Sequence, residues 1–149
     1  MRKWFNYNLN NSKQNYKDRF KYTNKLLVKN KSVEKYFNYD DFKRLTYEFK
    51  SFKFLQDQLK RKHRVLFVGS GWAFTELFLS KKFEVYASDI NKYFVKYHKK
   101  NLSKNFKYFY LNICNSKKIL QGKKFEQIVI NNIEYLFDSK QMNLSLKNL

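Results

Sequence analysis

Two glycines and one acid carry the chemistry that is easiest to read in this sequence. The stretch Val68-Gly69-Ser70-Gly71-Trp72-Ala73-Phe74 follows a short apolar run, and Asp89 stands eighteen residues after Gly71. Gly69 permits a tight turn at positive φ, and Gly71 lets the backbone approach a ligand with no Cβ in the way. A carboxylate at Asp89, closing a second apolar run, can accept from both hydroxyls of a ribose. Such a set suits a nucleoside. A dinucleotide demands a further small residue at the place that Phe74 holds, because the helix N-terminus there must pack closely and meet a pyrophosphate. A ring at Phe74 disfavours NAD and FAD.

These residues need a sheet to position them. Phe42, Leu45, Phe49, Phe52, Leu55 and Leu59 recur at spacings of three and four, which predicts one helix. Asp40 or Asp41 would cap it, and Lys60-Arg61-Lys62-His63 would suit its negative end. Arg64–Val68 is apolar and rich in β-branched residues, as in a buried parallel strand. Alternation then continues: a helix over 74–82, a strand over 83–88, a helix over 91–101 capped by Asp89 or Asn91, a strand over 106–111, a turn or short helix over 115–121 ended by Gly122, and a strand over 125–130. Asp138 with Gln141 reads as a capping box opening a last helix. Strands alternating with helices imply right-handed crossovers and a parallel sheet. Ligands of such sheets bind beyond the carboxyl ends of the strands, where the glycines and Asp89 fall.

Composition sets outer bounds. The chain has 149 residues and is 43% hydrophobic, with sixteen Phe and twelve Tyr, enough to fill the core of one domain. The single cysteine, Cys114, allows neither an internal disulfide nor a structural zinc site. No apolar run reaches the roughly 18 residues of a membrane span, and the N-terminus lacks an apolar signal region. A cytoplasmic location is the expectation. The formal charge of +20 is nearly all lysine, with Arg only at positions 2, 19, 44, 61 and 64. Bidentate recognition of phosphate and guanine favours Arg. The charge therefore reads as a solvated lysine coat with salt-sensitive, non-specific affinity for polyanions.

The ordered segments VLFVGSGWAFTELFL, VYASDI, FYLNI and FEQIVINNIEYLFD resemble the motifs of the class I S-adenosylmethionine (AdoMet)-dependent methyltransferases. The resemblance covers about residues 64 to 138. It implies an α/β, Rossmann-like three-layer sandwich with a mostly parallel sheet of about four strands, preceded by N-terminal helices. It implies AdoMet as cofactor, with Gly69, Ser70, Gly71 and Trp72 forming the loop beside it. It further implies Asp89 on the ribose, Ile90 against the adenine, Asn112 near the adenine amine, and Asn131 with Asn132 facing the methionine end and the acceptor. Three places depart from the family: Phe67 where an acid is usual, Ala73 for the third glycine, and Asn112 for an Asp. The family fold continues through further strands, so residues 61–149 read as the AdoMet-binding domain without its C-terminal strands. Residues 1–60 read as a helical segment or arm.

Several residues receive ordinary readings. His63 and His98 are expected at solvated helix positions. Glu76, in the first turn of the helix after the loop, could supply negative charge to a cationic cofactor, but the expected reading is a surface Glu that favours the dipole. Trp72 either lines the pocket or packs beneath the loop, and Tyr135 or Glu134 could position an acceptor. The expected function is methyl transfer from AdoMet to a small molecule or glycan precursor. Two alternatives stand beside it: a non-catalytic module whose exposed sheet edge is covered by a partner chain or a second copy, and a basic RNA-associated methyltransferase.

Overall fold

The computed structural model describes residues 36–113 and 120–130, together with Asn143 and Lys147. Four parallel strands lie in the order β3-β2-β1-β4: β1 (Arg64–Val68), β2 (Glu84–Asp89), β3 (Phe106–Tyr110) and β4 (Gln127–Ile130). Val65 lies opposite Val85 and Gln127, and Val85 lies opposite Phe106. The switch in strand order falls at β1, where successive connections leave toward opposite edges. The glycine loop and the end of β2 sit beside that switch.

The predicted helix over 40–59 is two elements. A single turn, α1 (Tyr39–Phe42), is capped by Asn38, whose side chain accepts from the Asp40 N–H at 2.9 Å. The chain turns at Lys43–Leu45 and restarts as α2 (Thr46–Gln58), which has no side-chain cap at its start. Asp40 and Asp41 lie within the first turn and do not cap it. Their carboxylates pair with Lys43 and Arg44 instead. The apolar spacing is unbroken across the turn because Phe42 and Phe52 reach the same core from both pieces.

Helix α3 (Phe74–Leu79) and helix α4 (Lys92–Tyr97) are shorter than the apolar pattern predicts. Asn91 caps α4 by accepting from the Tyr93 N–H at 2.9 Å. The helix tightens into a 3-10 turn over His98–Asn101. Gly122 takes the left-handed conformation expected of it, with φ of 75°.

The two faces of the sheet are covered differently. On one, Val65, Phe67, Val85, Ala87, Phe106 and Tyr108 pack with Phe42, Phe52, Phe78 and Phe94 from the helices. On the other, Leu66 and Val68 pack with Leu111, Ile113 and Leu120. Strand β1 is buried along almost its whole length, as the RVLFV run predicts, whereas β4 is half-exposed. The outer edge of β4 pairs with no strand among the described residues. None of the described helices is long and apolar enough to cross a membrane.

Candidate functional site

The chain leaves β1 at Val68 and enters a loop clasped to the end of β2. The N–H groups of Gly69 and Ser70 both donate to the Ser88 carbonyl, at 3.0 and 2.9 Å. Ser88 is fully buried, and its hydroxyl donates to the Phe67 carbonyl at 2.7 Å. The Gly71 N–H donates to Asp89 Oδ2 at 2.9 Å, and the Asn91 N–H to Oδ1 at 2.7 Å. From β3, the Tyr108 hydroxyl donates to the Gly71 carbonyl at 2.7 Å. Three strands therefore fix one loop.

This clasp uses the loop's backbone donors. Gly69, Ser70, Gly71 and Ala73 all place their N–H groups on protein acceptors. A phosphate-binding loop needs such donors turned outward to the anion. Their internal use disfavours a dinucleotide on a second ground, beside the ring at Phe74. That ring packs on Phe37 and Trp72.

Gly69 and Gly71 both have positive φ, 82° and 50°. A Cβ on Gly71 would meet only Phe94, at 3.9 Å, so conformation more than crowding calls for glycine there. Ala73, standing in the third glycine's place, also takes a left-handed conformation, φ 52° and ψ 35°. A non-glycine residue pays about 1–2 kcal/mol for this. Ala73→Gly is therefore expected to stabilise the chain by up to about 1 kcal/mol, part of the relief being offset by the freer unfolded chain. Urea unfolding measures it, and a loss of stability would show that the Ala73 methyl, which is buried, outweighs its strain.

Asp89 ends β2 as expected, with its carboxylate partly buried. Burial pushes its pKa above the usual Asp range, and the N–H groups of Asn91 and Gly71 draw it part of the way back. Its oxygens accept from the N–H groups of Asn91, Gly71 and Ile90, and a carboxylate, with about four acceptor positions, keeps one for a ligand hydroxyl. Ile90 and Asn112 are half-buried beside it, and the Leu111 N–H donates to the Asp89 carbonyl at 3.0 Å, which brings the end of β3 against the end of β2. Trp72 is half-buried, with its ring against Phe94 at 5.2 Å and Tyr97 at 5.1 Å, so it packs onto α4. Asn131, Asn132, Glu134 and Tyr135 lie outside the described residues.

Three expectations are corrected. His63 lies beyond the end of α2, not on it, and is half-buried. Glu76 is not at the surface: it is 2% exposed, in the helix that follows the loop. Its Oε1 has no hydrogen-bond partner among the described residues. Burial raises its pKa to about 7, opposed by hydrogen bonding that includes the Ser70 side chain and reinforced by the charge of Asp89. The sequence held a signal, because FTELFL is apolar on every side of the Glu, and a helix apolar all round is buried. His98 is likewise fully buried, stacked on Tyr108 with centroids 4.6 Å apart. Its Nδ1 meets the Asn101 amide at 3.1 Å, and burial lowers its pKa to about 4. Its spacing of four from Phe94, on the same helical stripe, was the legible sign. Burial, with the charges of Asp89 and Glu76, drives the Tyr108 phenol well up, so it remains a donor to the loop.

The structure resembles a TehB-like SAM-dependent methyltransferase from Corynebacterium glutamicum, with a TM-score of 0.56 and 14% identity over 73% of this chain. It also resembles the magnesium protoporphyrin IX methyltransferase from Synechocystis PCC 6803, solved with bound SAH, with a TM-score of 0.55 and 13% identity over 69% of the chain. The fold is that of the class I methyltransferases. The chain spans 63% of the Corynebacterium protein and 48% of the Synechocystis one. No family model and no curated protein sequence matches the chain. Within the methyltransferase fold, the order β3-β2-β1-β4 places the glycine loop, Asp89 and Asn112 together at the carboxyl ends of adjacent strands. Among the described residues no group of three or more His, Cys, Asp or Glu side chains could hold a metal ion.

Proposed function

We propose that the chain is an AdoMet-dependent methyltransferase, or the cofactor-binding portion of one, with a small molecule or glycan precursor as acceptor. The observation that carries this is the clasp between Gly71 and Asp89 at the switch in strand order, within a methyltransferase fold. The residues present suit the cofactor. Asp89 keeps acceptor capacity for a ribose, Ile90 offers an apolar flank for an adenine, and the loop has its donors turned inward as a ligand without phosphates permits. AdoMet, when bound, supplies a methyl group activated by a cationic sulfur. The chain's part is to hold the acceptor in line with that methyl group and to keep water away, which needs no dedicated nucleophile. Residues 131–135 are the proposed acceptor-facing segment, and the open edge of β4 is the proposed seat of a partner chain or second copy.

Calorimetry with AdoMet and S-adenosylhomocysteine tests the reading. Binding is expected, and Asp89→Ala is expected to weaken it by about 1.5–3 kcal/mol, the range for hydrogen bonds to a charged group. Asp89 also holds Gly71 and Asn91, so Tyr108→Phe serves as the comparison. It releases the loop from β3, leaves the carboxylate in place, and should cost about 1 kcal/mol or less. Equal losses in the two variants would mean that Asp89 acts only by shaping the loop. Absence of binding at millimolar ligand would remove the cofactor from this chain.

A second reading is methyl transfer to RNA, toward which the charge of +20 supplies non-specific attraction. RNA affinity that differs between sequences or folds after the salt dependence is subtracted would support it. Affinity governed wholly by salt would count against it.

A further inference from the structure

We propose that the Glu76 carboxylate is the anion that meets the cationic methionine end of the cofactor. This rests on the cofactor reading above. Phe67 is 1% exposed and belongs to the core, so position 67 has no charge to offer. Glu76 lies in α3, directly after the loop, with an interaction to the Ser70 side chain and an electrostatic coupling to Asp89.

A buried carboxylate oxygen without a partner is costly, more so when the group is charged. A ligand that pairs with the oxygen is one way to satisfy it. The chain holds thirty-two Lys and Arg residues. Yet the ion pairs among the described residues join Lys43, Arg44 and Arg64 to Asp40, Asp41 and Glu126, and none reaches Glu76 or Asp89. The two carboxylates repel each other across the loop. The other titratable group facing Glu76 is Tyr108 of β3, a neutral donor occupied by Gly71. On α2, which packs against α3, Glu48 presents its backbone carbonyl to Thr75. Two acids close together, one of them holding its proton to about pH 7 in the ligand-free chain, suit a small cation that would let both ionise. A sulfonium or an α-ammonium on a nucleoside is such a ligand. With its pKa near 7 in the ligand-free chain, Glu76 would give up its proton as the cation arrives.

The test compares three ligands on the full chain: AdoMet, S-adenosylhomocysteine, and 5′-methylthioadenosine, which shares the adenosine and sulfur but carries no charge. Glu76→Gln is expected to weaken AdoMet roughly tenfold or more and to leave methylthioadenosine unchanged. If S-adenosylhomocysteine weakens too, the ammonium is the partner; if it does not, the sulfonium is. AdoMet binding to the wild-type chain near neutral pH is expected to release a fraction of a proton that Glu76→Gln no longer releases, read from calorimetry in buffers of different ionisation enthalpy. Equal weakening of all three ligands, unchanged AdoMet affinity, or proton release that persists in Glu76→Gln overturns the role of Glu76 while the cofactor reading stands. Failure of all three ligands to bind the wild-type chain overturns both.

Discussion

Replacing Glu76 with Gln is expected to stabilise the ligand-free chain at pH 8 by about 3 kcal/mol and to change little at pH 4. In the unfolded chain the carboxyl titrates near 4.5; in the folded chain it holds its proton to about 7. The folded state therefore binds more protons between those values, and stability falls as pH rises through that window. At 1.36 kcal/mol per unit, the loss comes to about 3 kcal/mol, and it persists above pH 7. His98 runs the other way. Its pKa falls from 6.5 to about 4 on folding, so stability rises between pH 4 and 6.5 and is lost as pH drops through that range. From about pH 4.5 to 6.5 the two slopes oppose each other and the wild-type profile is expected to be nearly flat. Glu76→Gln unmasks the His98 slope: stability climbs to pH 6.5 and then levels. Urea midpoints at half-unit pH steps measure this. Parallel profiles for wild type and variant would show that Glu76 is not the source. A gain in apo stability together with weaker AdoMet binding is what a residue kept for a ligand should show.

Phe42→Ala is expected to cost about 3–5 kcal/mol, a large part of the roughly 5–15 kcal/mol that holds an ordinary domain together. Phe42 is fully buried although its helix is a single turn, and its ring stacks on Phe78 with centroids 4.4 Å apart. Phe49 and Phe52 meet it edge-on at 5.8 and 5.7 Å. Phe54→Ala is the contrast, since Phe54 is 64% exposed and should change stability by no more than about 0.5 kcal/mol. Denaturant unfolding of both variants decides the matter. A loss below about 1 kcal/mol for Phe42→Ala would mean that α1 is not part of the cooperative core.

The sheet was legible wherever one signal dominated. Arg64–Val68 falls at its expected bounds because an apolar run lies between a basic cluster and a glycine, and both neighbours stop it. The ends of β2 and β3 differ by one residue from the pattern, since Phe83 and Leu111 are buried without joining the ladder. The break at Lys43–Leu45 was invisible because helical spacing records which side chains face the core, and both pieces face it. The glycine loop and Asp89 were legible because backbone at positive φ and an acid at the end of a strand each favour a particular residue type. Glu76 and His98 were misread for the opposite reason. Polarity alone suggests exposure, whereas the apolar residues around each of them along its helix speak for burial.

The order β3-β2-β1-β4 also has a consequence for synthesis. Strand β1 is central, yet its partner on one side, β4, follows about sixty residues later. As the chain leaves the ribosome, β1, β2 and β3 can pair in sequence while one flank of β1 stays open until Ile130 emerges. Leu66 and Val68, buried in the finished fold, belong to that waiting flank. Parallel pairing across such a distance closes slowly, so the nascent chain presents an unpaired apolar strand for a longer time than a hairpin would, and needs chaperone protection most in that interval.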